Sequence, residues 1–139
     1  MSFLITGANG FIGQVLCDEL LRKGQSIRAA VRSVNVLLIG NIEAVIVGSI
    51  DGETDWIDAL RGVDIVINLA GRVHIMDDSS SNPLSEYCIV NAAGTECLAK
   101  AAAGKCVRRF IFMITDKVNQ DGYLEKYLNK YILLLTIVC

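Results

Sequence analysis

The run Thr6-Gly7-Ala8-Asn9-Gly10-Phe11-Ile12-Gly13 constrains this chain more than any other segment. It follows a short apolar stretch, Phe3-Leu4-Ile5, and opens into a helical pattern. Each glycine has its own steric task at such a junction. Gly7 permits the tight turn out of a strand, Gly10 lets backbone approach a pyrophosphate, and Gly13 lets the helix pack close to the sheet. The helix N-terminus then presents unpaired N–H groups and a positive dipole end to phosphates. A glycine trio is a weak signal alone. Here the required context surrounds it, with a strand before and a helix after.

The rest of the chain alternates in the same way. Ser2–Ile5 reads as a strand and Phe11–Lys23 as a helix, with Ile12, Val15, Leu16, Leu20 and Leu21 on one broad apolar face. Gly24, after Arg22-Lys23, is a helix stop. Further strands are expected at Ser26–Val31, Ala44–Val47, Asp64–Leu69 and Arg109–Ile114. A short helix capped by Thr54 or Asp55 is expected through Leu60, and a long one from Pro83 or Leu84 to Ala103. The segment 32–42 carries the apolar run Val36-Leu37-Leu38-Ile39, too short to assign as a helix, and 77–82 is a polar, Ser-rich loop. Alternating strands and helices imply a parallel sheet with right-handed crossovers. The expected class is therefore α/β, a Rossmann-like doubly wound sheet of about five strands.

The bulk properties narrow the function classes. The 139 residues suggest one domain with a real core, and 53% hydrophobic content with one proline suits a buried parallel sheet. A net charge of −2 gives no nucleic-acid footprint. There is no signal-peptide pattern, and the apolar run Ile132–Cys139 is too short to span a bilayer, so no membrane partner is expected. Five cysteines without a Cys-x-x-Cys pair, and a lone His74, argue against a metal site. They suit reduced thiols in a cytoplasmic protein. Cys17, Cys88, Cys97 and Cys106 are expected to act as small hydrophobes in helical patterns.

Four motifs, in order, resemble the extended short-chain dehydrogenase/reductase family, of the NAD(P)-dependent epimerase/dehydratase type that includes sugar-nucleotide epimerases. Thr6–Gly13 resembles its Thr-Gly-x-x-Gly-x-x-Gly nucleotide loop. Asn68-Leu69-Ala70-Gly71 resembles the stretch lining the adenosine and ribose side of the cofactor. Val90-Asn91-Ala92-Ala93-Gly94-Thr95 resembles the Val-Asn-x-x-Gly-Thr helix, and Arg109–Thr115 the fifth strand. The resemblance covers residues 1–119 and implies a cofactor site built from Gly7, Asn9, Gly10, Phe11, Ile12, Gly13, Leu69, Ala70, Gly71 and Asn91. Asn91, a poor helix former, is expected to bond a neighbouring backbone loop.

Two departures bear on the cofactor. NAD-binding folds usually place an acid at the end of the second strand to hold the ribose 2′-OH. This chain reads Ala29-Ala30-Val31-Arg32, and Arg32 suits the 2′-phosphate of NADP, with Arg28 and Ser33 as helpers. The cofactor is thus expected to be NADP or NAD, with NADP preferred. After the third strand the family's acid is replaced in Gly48-Ser49-Ile50; Ser49 takes its place as a weaker acceptor, and Asp51 is a neighbouring substitute.

The family resemblance implies hydride transfer, with a Tyr as general acid–base helped by a Lys in a Tyr-x-x-x-Lys motif. Thr115 matches the Ser/Thr that orients the substrate hydroxyl and is the expected catalytic residue. No Tyr-x-x-x-Lys occurs in the sequence; Tyr123/Lys126 and Tyr127/Lys130 are three apart and follow Thr115 too closely. Residues 120–139 depart from the pattern, reading as a helix with Tyr123, Tyr127 and Tyr131 followed by an apolar run. The expectation is a 1–119 nucleotide-binding domain with a divergent tail, a truncated or frame-disrupted product missing the substrate lobe. Its partners would be a dinucleotide, a nucleotide sugar and a second copy in a homo-oligomer. The chain alone would be inactive; a non-catalytic NADP sensor and a non-functional fragment are the alternatives.

Overall fold

The computed structural model describes residues 1–38, 40–71 and 83–113. Its elements are β1 (Ser2–Thr6), α1 (Phe11–Arg22), β2 (Ser26–Val31), β3 (Glu43–Ile46), β4 (Ile65–Asn68), α2 (Pro83–Cys88), a π-helical turn (Ile89–Gly94), α3 (Thr95–Gly104) and β5 (Arg109–Phe112). The five strands form one parallel sheet in the order β3-β2-β1-β4-β5. This is the doubly wound, Rossmann-like α/β class that the alternation predicts.

Period-two alternation explains the layers. Leu4, Ala30, Val66 and Phe110 point to one side of the sheet, where Trp56, Leu60, Leu98, Ala102 and Val107 close over them. Phe3, Ile5, Ile27, Ala29, Val31, Ile65 and Ile67 point to the other, against Cys17 of α1. β4 is buried at all four positions, as a central strand covered on both faces must be.

Register sets the height of the rim. Thr6 pairs with both Ala30 and Asn68, and Asn68 pairs with Phe112. The carboxyl ends of β1, β4 and β5 are therefore level. Their next residues, Gly7, Leu69 and Met113, stand side by side in the crevice where ligands of such sheets bind.

Four expectations change. The α1 face is rotated: Gly13 and Cys17 are buried and Leu16, Leu20 and Leu21 pack on the core, whereas Ile12 is 44% and Val15 64% exposed. Gly13 causes this, because it must lie against the β1 turn and so fixes which stripe follows it inward. The short helix through Leu60 is a set of turns, with Asp55 Oδ1 accepting the Ile57 N–H (2.8 Å) and Leu60 N–H reaching Trp56 O (2.9 Å). One closed turn flanked by Gly52 and Gly62 does not propagate. The long helix is interrupted by its π turn. Lastly, Cys88 and Cys106 are exposed, while Cys17 is buried and Cys97 half-buried.

Segment 32–38 is irregular; Val36 and Leu38 pack on the core and Val34 and Leu37 are exposed. Ile39, His74, the 77–82 loop, Thr115, the Tyr–Lys pairs and Cys139 lie outside the described residues.

Candidate functional site

The site begins where β1 gives way to α1. Gly7 has φ +69, and a Cβ on it would stand 2.9 Å from the backbone of Leu69 and Ala70. Only glycine combines that left-handed conformation with that approach. Its carbonyl accepts the Gly10 N–H at 3.0 Å, closing the turn. Gly13 is helical, yet a Cβ there would fall 2.1 Å from Gly7 O and 2.8 Å from the Ala8 backbone. The turn and the first turn of α1 thus touch with no space for a side chain.

Gly10 is the N-cap of α1 and supplies no side-chain cap; the first turn contains no acid. The helix therefore opens with its N–H donors unpaired by side chains and its dipole unneutralised, a favourable place for an anion. Gln14 Nε2 donates to Asn9 O (3.1 Å) and steadies the loop. Above it lies a cavity of about 270 Å³ lined by Gly7, Gly10, Phe11, Ile12, Gly13, Leu69 and Met113. Phe11 is 89% exposed at its mouth.

A hydrogen-bond chain holds the facing loop. Thr6, fully buried, donates through its hydroxyl to Asn68 Oδ1 and accepts the Ala70 N–H at 3.0 Å. Asn68 Nδ2 donates to Thr95 Oγ1 at 3.0 Å. These bonds satisfy two buried polar side chains and tie the ends of β1 and β4 to the start of α3. Asn91 sits in the π turn with its Oδ1 beside Gly71, where a Cβ would come within 3.3 Å of it. π turns recur at functional sites because the extra residue re-aims side chains. Sequence reasoning passed over Thr6, Thr95 and Met113 as site residues. The signal was present in Thr6-Gly7 and Gly94-Thr95, two hydroxyls beside glycines in apolar surroundings that need buried partners.

The remaining residues divide. Arg32 is exposed directly after β2, with no ion pair among the described residues. Arg28 is no helper to it. It sits in the first half of β2, opposite Glu43, with Nη2 2.9 Å from that carboxylate, and Nη1 donates to Asp58 O, Ala59 O and Arg61 O at 3.3, 3.2 and 2.7 Å. Its charge serves the Trp56–Gly62 turns. Ser49 is exposed in the loop after β3, and Ile50 packs on Gly94. Asp51 Oδ1 accepts the Glu53 N–H (2.9 Å) and lies 3.2 Å from the Thr54 hydroxyl. Among the described residues, no helix is long and apolar enough to cross a membrane.

A glycine turn on a level strand rim, a bare helix N-terminus and a doubly wound parallel sheet define a Rossmann-type domain. The model of the NAD dependent epimerase/dehydratase family matches residues 3–124. The chain belongs to that family. It is 39% identical over 128 residues to a UDP-glucose 4-epimerase of Vibrio cholerae, covering 88% of this chain and 37% of that protein. Among solved structures it resembles MoeE5 in complex with UDP-glucose and NAD (TM-score 0.70, 26% identity, 88% of this chain and 39% of that one). It also resembles the Bordetella bronchiseptica enzyme WbmG in complex with NAD (TM-score 0.62, 25% identity, 81% of this chain and 36% of that one). The chain thus spans less than two-fifths of the length of these relatives.

Proposed function

We propose that residues 1–119 bind NAD or NADP as the cofactor half of a nucleotide-sugar epimerase/dehydratase-like protein. The observation that carries this is the Gly7–Gly13 turn, where the absent Cβ atoms leave a cradle under the bare N-terminus of α1. Gly7, Asn9, Gly10, Phe11, Ile12 and Gly13 would hold the pyrophosphate side, and Leu69, Ala70, Gly71 and Asn91 the adenosine side. When bound, the cofactor supplies hydride chemistry; this chain's contribution is to bind and orient it. The named ligands of MoeE5, UDP-glucose and NAD, support the nucleotide-sugar reading.

Arg32 favours NADP, as an exposed guanidinium at the end of β2 where an acid would favour the free 2′-OH. Thr115 is proposed to orient the substrate hydroxyl. Without a Tyr-x-x-x-Lys motif in the sequence, the chain by itself is proposed to bind cofactor and not to turn over.

The test is thermal unfolding of the protein with NAD, NADH, NADP and NADPH. A ligand present at a hundred times its Kd stabilises the folded state by about 2.7 kcal/mol. A larger rise with NADPH than with NADH, abolished by Arg32→Ala, is expected. No rise with any of the four overturns the proposal. Epimerisation of a UDP-sugar by the purified chain would overturn its inactive half.

A further inference from the structure

We propose that Met113 is a modification site for hydroperoxides, and that its oxidation to the sulfoxide weakens dinucleotide binding; the proposal rests on the cofactor reading above and adds a regulation to that same site. Met113 follows β5 on the level rim and lines the cavity above the glycine turn. Its N–H donates to Asn68 O at 3.3 Å, so the strand ladder holds the residue in place. Its side chain is half-buried, and Phe11 stands exposed at the cavity mouth, so small solutes can enter.

The chemistry of the lining singles this residue out. The other side chains bordering the cavity belong to glycine, phenylalanine, isoleucine and leucine. Met113 therefore carries the one lining side-chain atom that a hydroperoxide oxidises. No lining side chain is a strong hydrogen-bond acceptor, because a thioether sulfur accepts only weakly. The polar groups turned to a ligand are the N–H donors at the start of α1, which has no acid in its first turn and no side-chain cap. The cavity is thus an anion cradle free of competing acceptors. Its volume of about 270 Å³ is small for a ligand site, so Met113 and these donors stand within one ligand's reach of each other.

Oxidation reverses that condition. The sulfur lone pair attacks one oxygen of hydrogen peroxide; an S–O bond forms and the O–O bond breaks. Sulfur gives up two electrons, the leaving hydroxide takes the proton from the transferred oxygen, and water departs. The apolar thioether has become a polar sulfoxide, and its oxygen is a strong acceptor inside the cradle. It either takes N–H donors that a phosphate would use or stands beside the phosphate oxygens and repels them. Both outcomes weaken the dinucleotide, and both end when the sulfoxide is reduced.

Peptide mass mapping and titration with NAD, before and after hydrogen peroxide, test this. Met1 is the internal reference, 62% exposed and at the opposite end of β1 from the cavity. Both methionines are expected to gain one oxygen, and excess NAD to slow the reaction at Met113 alone. The Kd for NAD is expected to rise about tenfold, the cost of one misplaced acceptor. Methionine sulfoxide reductase should restore it, since that enzyme leaves oxidised cysteines unrepaired. Met113→Leu, compared with its own untreated Kd, should not respond to peroxide, although it keeps Met76 and the exposed Cys88 and Cys106. Met113 left unoxidised while Met1 converts, equal rates at Met113 with and without bound NAD, a Kd unmoved by oxidation or unrestored by the reductase, or an equal loss in Met113→Leu overturns the proposal. If the untreated protein binds no NAD, the cofactor reading fails first and the proposal falls with it.

Discussion

Gly13→Ala puts intrinsic propensity and packing in direct opposition. Gly13 lies within α1, and by propensity alone alanine there should stabilise the helix by about 1 kcal/mol. The structure predicts the reverse. The new methyl would sit 2.1 Å from Gly7 O and 2.8 Å from Ala8 Cα. Relieving the contact requires a shift of about 1 Å in the turn or the helix, an overpacking cost of about 1–3 kcal/mol. Gly7 O also holds the Gly10 N–H at 3.0 Å, so moving it puts a further bond at risk, worth about 1 kcal/mol. The net expectation is a loss of about 1–3 kcal/mol together with loss of dinucleotide binding. Gly24→Ala is the control. Gly24 has φ +68 and nothing within 4 Å of its would-be Cβ, so its penalty is conformational, about 1–2 kcal/mol, with binding intact. Urea unfolding and titration with NAD and NADP on both variants decide the matter. A Gly13→Ala protein as stable as the wild type, or one that binds normally, would refute the reasoning.

Three further outcomes follow from the geometry. Cys106 has φ +55 in the same Schellman closure that Gly24 makes after α1, with Val107 N–H on Ala102 O and Cys106 N–H on Ala103 O, both 3.1 Å; Cys106→Gly should raise stability by about 0.5–1 kcal/mol in urea unfolding. Burial pushes the Cys17 thiol above its ordinary value of 9.0, so the unfolded chain loses that proton first; the thermal midpoint should fall as pH rises above about 9, less so in Cys17→Ala compared with its own neutral-pH value. Arg28→Met should cost about 1–2 kcal/mol, measured by urea unfolding, by removing its bonds to the Asp58, Ala59 and Arg61 carbonyls, while the NADP-to-NAD binding ratio stays unchanged.

The glycine turn was legible because its demands are local. Gly7 needs a positive φ and Gly13 needs no Cβ, and both needs are written in three residues around one strand end. The layer pattern was legible for a similar reason, since Leu4 and Ile5 must face opposite ways whatever lies beyond them. The rotation of α1 was not, because the contact of Gly13 with Gly7 O, rather than the apolar count, selects the buried stripe. The π turn was equally hidden: Asn91 and Gly94 are placed by Gly71 and Ile50, some twenty and forty positions upstream. Arg28 misled because a cation four residues before Arg32 looks free until the register puts it opposite Glu43.

The level rim has a consequence for how such proteins diversify. Phe112 pairs with Asn68, and Met113 already borders the cavity, so whatever chain follows β5 is delivered to the mouth of the site. The geometry of the glycine turn, by contrast, is settled among residues 6–13 and 68–71. Substitutions beyond Met113 are therefore expected to leave the contacts that fix the turn unchanged.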